Sequence, residues 1–504
     1  MKAVVLSAGR GTRFGTLTKS KPKCLLKLHN STLLDIQLEV LTNSEMIDEI
    51  IIVVGFESDQ IVSHVARKNV DKKITFIVNK SYFETNNIFS LSMVEALVKG
   101  QQFLLINGDV VFDAALLSKL NMKEISMILV NEKTYTLDNM KCKFDIDNIL
   151  TDISKKIPAN ESMGISLDIF KLSSEDSSRL FEEVRILVAS GQRNLWIEDA
   201  ISHCIKSKSI RLLKVTNESD SWGEIDNLDD LNQARINFLR EDSFKRFETF
   251  LLDIDGTLIT SDTPIKGAPQ FTEALTKIGK TICYLTNNSA FSNEEHKFRL
   301  EANGFSVENN FLVSSLDQTI LFLMDRRIWK VFIVGTRSAR NQIQESGILI
   351  TETDPECIII CNDTELNYTK LEIASHLVNR GIPYVVTNPD VSRPTIEGPV
   401  PDAGTFCEVI KLTTGILPLE IFGKPSVQLA RTLIQVFDLS GKRIDSSKVI
   451  MIGDRIETDI TFGLNSGFKT CLVLSGSTTE SDLQKSDLFP DYVIPSLESI
   501  SHLL

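Results

Sequence analysis

Two aspartates one residue apart, Asp253 and Asp255, close an apolar run that starts at Phe250 and passes into Gly256. Carboxylates at that spacing need a cation or a proton between them, which suits a divalent metal or covalent and acid–base chemistry. Asp-Gly is also ordinary turn chemistry, so this stretch alone reads equally well as a strand ending in a turn. Three later stations change the balance. Thr286-Asn287-Asn288-Ser289 ends a second apolar run, Gly423-Lys424-Pro425 follows a third, and Gly453-Asp454 with Asp459 follows a fourth. A carboxylate nucleophile, a carboxylate for proton transfer, a hydroxyl, a lysine and metal-binding acids are a complete set for phosphoryl transfer.

A second set lies near the N-terminus. An apolar run over 3–6 opens into Ser7-Ala8-Gly9-Arg10-Gly11-Thr12-Arg13, and Pro22-Lys23 follows. The glycine spacing fits neither a dinucleotide fingerprint nor a P-loop. Glycines directly after a strand still let backbone N–H groups approach phosphate oxygens, and Arg10 and Arg13 add forked donors. Lys19, Lys21 and Lys23 make a basic cluster in an acidic chain; a merely solvated loop is the weaker reading of the loop and lysines together. Asp109 ends the run Phe103-Leu104-Leu105-Ile106, and Asp226 closes Trp222-Gly223-Glu224-Ile225. Two such carboxylates can converge on one Mg²⁺, which typically takes one or two carboxylates plus substrate phosphates.

Both sets depend on strands that deliver side chains to one edge. Runs apolar on both faces read as buried parallel strands, and open α/β sheets bind ligands at the C-terminal strand ends. Helix-like segments alternate with these runs throughout, so the fold class is α/β: two doubly wound α/β catalytic domains in tandem. The chain has 504 residues, too many for one core. The expected division is 1–238, a linker over 239–248 with Arg240-Glu241-Asp242-Ser243 as its most polar part, and 249–504. A net charge of −13 argues against nucleic acid as a partner, and no stretch has the apolar length to insert in a membrane. Eight cysteines without a CxxC pair indicate neither a disulfide framework nor a zinc site, and a reducing cytoplasm is the expected location. Nothing sets the oligomeric state; a homo-oligomer is allowed.

The N-terminal motifs resemble those of sugar-phosphate-type nucleotidyltransferases over residues 1 to about 235. Phe83-Glu84-Thr85-Asn86-Asn87-Ile88-Phe89-Ser90-Leu91, Trp196-Ile197-Glu198-Asp199 and Trp222-Gly223-Glu224-Ile225-Asp226 are similar to the phosphocholine cytidylyltransferase branch. Gly15 departs from hexose-specific relatives, many of which carry proline there. The resemblance implies that Ala8, Gly9, Arg10, Gly11, Thr12 and Arg13 hold a nucleoside triphosphate and that Lys23 contacts phosphate. It implies that Asp109 and Asp226 bind Mg²⁺, with Asn86 and Asn87 near the nucleotide or acceptor.

Residues 245–504 resemble the haloacid-dehalogenase-like phosphatases. The interval from Asp253 to Thr286 is too short for an inserted domain, whereas that from Thr286 to Lys424 is ample for an α/β cap, expected at about 291–415. That layout, with Thr387-Asn388-Pro389-Asp390 and Ala403-Gly404-Thr405, resembles the subfamily of nitrophenyl-phosphatases. The resemblance implies Asp253 as the nucleophile and Asp255 as the general acid/base. Thr286 and Asn287 would bind the phosphoryl group, and Lys424 would stabilise its charge. Asp454 and Asp459 would hold Mg²⁺ with Asp253, with Asp255 counted in the same acidic set, while Asn388 and Asp390 would help select substrate.

The two halves together imply a bifunctional enzyme with Mg²⁺ in both domains, CTP and a phosphorylated small molecule as ligands, and a place in surface polysaccharide precursor synthesis. Two other readings stand beside it: a phosphatase with a non-catalytic nucleotide-binding module, and a uridylyl, thymidylyl or guanylyl transferase.

Overall fold

The computed structural model describes residues 1–503 except 69, 122–123, 133–138, 218–220, 240–242, 394 and 396. The chain divides into two compact units, Met1–Leu239 and Arg240–Leu504. The polar stretch expected at the linker, Arg240 to Asp242, lies outside the described residues.

Unit 1 is built on a mixed sheet. In chain order its main strands are β1 (Lys2–Ser7), β2 (Glu49–Val54), β3 (Lys73–Val78), β4 (Phe103–Asn107), β5 (Met127–Asn131), β6 (Ile165–Leu172) and β7 (Leu213–Thr216). Their spatial order is β7-β5-β6-β4-β1-β2-β3. All neighbours pair in parallel except β6, which runs antiparallel to β4 and β5. Val4 and Leu6 pack into one core while Ala3 and Val5 pack into another on the opposite face, so β1 is apolar throughout because both faces are covered. The chain leaves β1 toward β2 on one side and returns to β4 on the other. That reversal opens a crevice beyond the C-terminal ends of β1 and β4, where Ser7 to Arg13 and Asp109 lie.

Unit 2 has a parallel core sheet of β8 (Thr249–Asp253), β9 (Thr281–Thr286), β10 (Phe311–Ser314), β16 (Val449–Gly453), β17 (Lys469–Val473) and β18 (Tyr492–Ile494), ordered β10-β9-β8-β16-β17-β18. Between β10 and β16 the chain forms a separate parallel sheet. Its strands are β11 (Lys330–Val334), β12 (Leu349–Ile350), β13 (Cys357–Ile360), β14 (Tyr384–Val386) and β15 (Glu420–Ile421), ordered β12-β11-β13-β14-β15. The expected cap span of about 291–415 overlaps the core, because Phe311–Ser314 pairs with β9. The inserted sheet begins only at Lys330 and reaches Ile421. Val331 and Ile333 face one core and Phe332 and Val334 another, so this sheet too is covered on both faces. In the core sheet β8 is the switch point, with β9 on one side and β16 on the other, and Asp253 is its last residue.

Two candidate catalytic centres

In unit 2 the motif residues converge. Asp253, Asp454 and Asp459 are buried, and each offers a carboxylate oxygen within 4.8 Å of the others. Lys424 Nζ donates to Asp253 Oδ1 and lies 2.7 Å from Asp459 Oδ1. Asn287 fixes the lysine's backbone from both sides: Lys424 N–H donates to Asn287 Oδ1 at 2.7 Å, and Asn287 Nδ2 donates to Lys424 O at 3.0 Å. A π-helical turn, Ile456–Ile460, brings Asp459 back toward Asp454, and Arg455 N–H donates to Asp459 Oδ2 at 3.0 Å. Gly256 has φ +101°, and a Cβ there would sit 2.4 Å from Asp454 Oδ2. Only glycine permits that approach.

Burial pushes the Asp253 carboxyl up; the Lys424 ammonium opposes that, and the fields of Asp459 and Asp454 add to it. Burial would lower Lys424, but Asp253 and Asp459 hold it above its ordinary value. Three acids against one ammonium leave an excess of buried negative charge, and Asp253 Oδ2 has no hydrogen-bond partner. This donor set fits a divalent cation. Asp255, expected in the same metal set, is not in the cluster. Its carboxylate accepts from Arg299 Nη2 and Asn288 Nδ2, each at 3.1 Å. Burial opposes its ionisation, but Arg299 and His296 bring its pKa below the usual value.

Thr286 lines the centre and accepts Asn288 N–H at 3.0 Å. Asp390 reaches in from the inserted segment, accepting from Asn287 Nδ2 at 3.0 Å and from Arg455 Nη1 at 3.2 Å. Asn388 does not line the centre. It is fully buried, and its amide donates to Asn287 O at 2.8 Å and to Asp402; two neighbouring chain segments use it as a joint. Arg299, Arg393, Arg455 and Asp402 were not assigned roles from sequence. Arg455 directly follows Asp454, so a charged residue inside a motif was the available signal. Arg299 has none, since only the packing of its helix, Asn293–Ala302, brings it to Asp255.

In unit 1 the cleft is lined by Ser7, Ala8, Gly9, Gly11, Arg13, Lys23, Asn86, Asn87, Asp109 and Asp226, among others. Lys23 Nζ donates to Asp109 Oδ2 and to Asp226 Oδ1, both at 2.8 Å, and Arg13 Nη1 also donates to Asp226. Burial would lower Lys23, but the two carboxylates raise it above its ordinary value. Burial opposes ionisation of Asp226 as well, and Lys23 and Arg13 bring it below the usual carboxylate value. Gly11 (φ +63°) lies so close to Lys23 that a Cβ would meet the lysine's Cβ at 2.8 Å. Arg10 and Thr12 are not among the lining residues, and the Arg10 guanidinium sits over the Phe56 ring at 5.5 Å. Asn86 caps the helix Asn87–Ser92 by accepting from Asn87 N–H, and Asn87 Oδ1 accepts from Ile197 N–H at 2.9 Å.

Three acids without an assigned role complete the cleft. Asp168, Glu198 and Glu224 line it together with Lys155 and Trp196. Burial pushes Glu198 up to about 7, with Glu224 and Asp199 adding. Burial also lifts Asp168 and Glu224 well above the carboxylate range, and neighbouring acids reinforce it. Glu198 and Glu224 lie inside motifs visible in the sequence; Asp168, in the middle of β6, carries no such signal.

The Nucleotidyl transferase family model matches residues 2–127, the Haloacid dehalogenase-like hydrolase model matches 250–349, and a HAD-hydrolase-like model matches 421–500. An acid sugar phosphatase of Staphylococcus aureus is 30% identical over 262 residues, which is 51% of this chain and 99% of that protein. A dihydroxyacetone phosphatase of Corynebacterium glutamicum is 28% identical over 254 residues, 50% of this chain and 90% of that protein. A 4-nitrophenylphosphatase structure from Thermotoga maritima is 31% identical, covering 51% of this chain and 97% of its own, with a TM-score of 0.48. The chain belongs to the haloacid-dehalogenase-like hydrolases. It joins that phosphatase domain to a nucleotidyl transferase domain.

Proposed function

We propose that the chain is a bifunctional enzyme. Unit 1 transfers cytidylyl from CTP to a phosphorylated alcohol, amine or sugar and releases pyrophosphate; unit 2 hydrolyses a phosphate monoester through an aspartyl-phosphate. The observation that carries this reading is that each unit sets a lysine between carboxylates at the C-terminal edge of its central sheet: Lys23 with Asp109 and Asp226, Lys424 with Asp253 and Asp459.

In unit 2, an Asp253 oxygen attacks phosphorus, forming the acyl-phosphate bond as the ester P–O bond breaks. The departing alkoxide takes a proton from Asp255, which despite its burial Arg299 holds ionised in the free site and which must therefore be protonated before this step. Water then gives a proton to Asp255 and attacks phosphorus, which releases inorganic phosphate and restores Asp253. Lys424 offsets charge on the phosphoryl oxygens, and Thr286 and Asn287 orient them. Mg²⁺, when held by Asp253, Asp454 and Asp459, would supply further neutralisation. In unit 1, a phosphate oxygen of the acceptor attacks the α-phosphorus as the bond to pyrophosphate breaks. Backbone N–H groups over Gly9 to Arg13, with Lys23 and Arg13, take up the charge, and Asp109 and Asp226 are the residues to hold Mg²⁺.

A phosphatase that consumed the transferase's acceptor would be futile, so unit 2 acts on another phosphomonoester of the same cytoplasmic pathway, one that feeds a surface polysaccharide. The names of its relatives favour a small sugar-type phosphate. The test supplies each nucleoside triphosphate with Mg²⁺ and a panel of phosphorylated alcohols, amines and sugars to the Asp253→Asn variant, and follows pyrophosphate. Release with CTP and one acceptor, lost on Asp109→Ala, is expected. Release with another nucleotide would change the base; silence with nucleotide still bound would leave unit 1 a binding module.

A further inference from the structure

Beside the residues assigned to transfer, Asp168, Glu198 and Glu224 line the unit 1 cleft, and two of their oxygens have no partner in the protein. Asp168 is 9% exposed; its Oδ2 accepts from Asn107 Nδ2 at 3.0 Å, while its Oδ1 has no partner. Glu198 is 3% exposed, and its Oε2 has no partner. A buried acceptor oxygen without a donor costs about 1–3 kcal/mol, so native proteins rarely keep two beside each other in an open cleft without use. Both oxygens need a hydrogen-bonding partner: an O–H or N–H donor where the carboxyl is ionised, or a hydroxyl, which can also accept, where the carboxyl keeps its proton. Of the two aromatic rings that line the cleft, Tyr82 and Trp196, the second is already covered: Lys155 Nζ lies 4.8 Å from its centroid. A quaternary ammonium has no proton to donate and would leave both oxygens unpaired.

We propose that Asp168, Glu198 and Glu224 seat the non-phosphate end of the acceptor, and that this end carries at least two hydrogen-bond donors, as hydroxyls of a small polyol or as a primary ammonium, which excludes a quaternary ammonium. The proposal rests on the transferase reading above and specifies its acceptor. Its phosphate would lie toward Lys23 and Arg13, and its donors would reach Asp168 Oδ1 and Glu198 Oε2. Selectivity of this kind is strong, because an analogue without donors leaves the buried oxygens unpaired.

The experiment uses the full chain carrying Asp253→Asn, which keeps phosphate release by unit 2 out of the readout. Glycerol phosphate, phosphoethanolamine and phosphocholine are compared by pyrophosphate release with CTP and, independently of turnover, by calorimetric binding. Glycerol phosphate or phosphoethanolamine is expected to exceed phosphocholine by at least about 100-fold in kcat/KM or affinity. Whichever of the two leads identifies hydroxyl or ammonium as the donor. Glu198→Gln and Asp168→Asn should each weaken that acceptor by about 10-fold or more, with the KM for CTP little changed. Phosphocholine equal to or better than the others overturns the proposal while leaving the transferase reading intact, as does an unchanged acceptor KM in both variants. Selective binding lost in the variants, without turnover, supports the proposal and counts against the transferase reading. Absence of both binding and turnover with all three overturns the proposal.

Discussion

The two centres combine the same elements, a lysine between carboxylates at the end of a parallel sheet, in opposite surroundings. In unit 2 the lysine and its acids are almost wholly buried, with Lys424 at 1% and Asp459 at 1% exposure, and the space they enclose is about 30 Å³. In unit 1, Lys23 spans two half-buried acids at the mouth of a cleft of about 220 Å³. Low dielectric strengthens every charge interaction in the first case and makes any unbalanced charge costly. The second encloses more space, and its charges stay partly screened until ligands arrive. A small phosphoryl group suits the tight centre; a two-substrate transfer suits the open one.

The largest expected effect comes from separating the centres. Asp253→Asn should lower phosphate release from monoesters by about 10⁴-fold or more, since the proposed nucleophile is lost, and should leave pyrophosphate release with CTP within about 2-fold. Lys23→Ala should do the reverse, lowering pyrophosphate release by about 10²–10³-fold. Crossed effects, with either substitution silencing both reactions, would break the comparison.

A smaller effect sharpens the contrast in burial. Lys424→Met leaves three buried acids without their ammonium and should cost unit 2 about 3–5 kcal/mol, read as a fall in urea midpoint. Added Mg²⁺ should restore part of the loss, because its charge replaces what the lysine supplied. Lys23→Met, at the wetter site, should cost less than half as much. Equal losses would show that burial is not what distinguishes the centres.

The smallest effect concerns pH. Glu198 has an ordinary value of 4.5 and is pushed up to about 7 in the folded chain. The folded state therefore holds this proton more tightly than the unfolded state. The stability linked to it is full below about 4.5, falls as pH rises, and is gone above about 7. Glu198→Gln removes the titration, so the variant should gain on the wild type between pH 5 and pH 8 by up to about 3 kcal/mol. Thermal or urea midpoints at the two pH values check this, and a difference independent of pH would reject it.

The sequence by itself was enough for the α/β class and for the places where chemistry is concentrated. A strand covered on both faces must be apolar at successive positions, so β1, β4, β8 and β16 announce themselves, and polar residues at their ends stand out. Asp253, Thr286, Lys424, Asp454 and Asp459 are far apart in the chain, yet each follows such a run, and the fold brings them together. Only the tertiary structure decided what each side chain meets. Asp255 is turned to Arg299 and Asn288 instead of the acidic cluster, Asn388 is a buried joint, and Arg10 rests on Phe56. Asp168, Glu198 and Glu224 become one wall because β6, the helix Ile197–Lys206 and the strand Trp222–Glu224 pack around one cleft. Local periodicity reports which face of an element is buried. It carries nothing about which distant carboxylate will share that burial, because that pairing is set by long-range packing, and so are the charge balance and proton affinities of both centres.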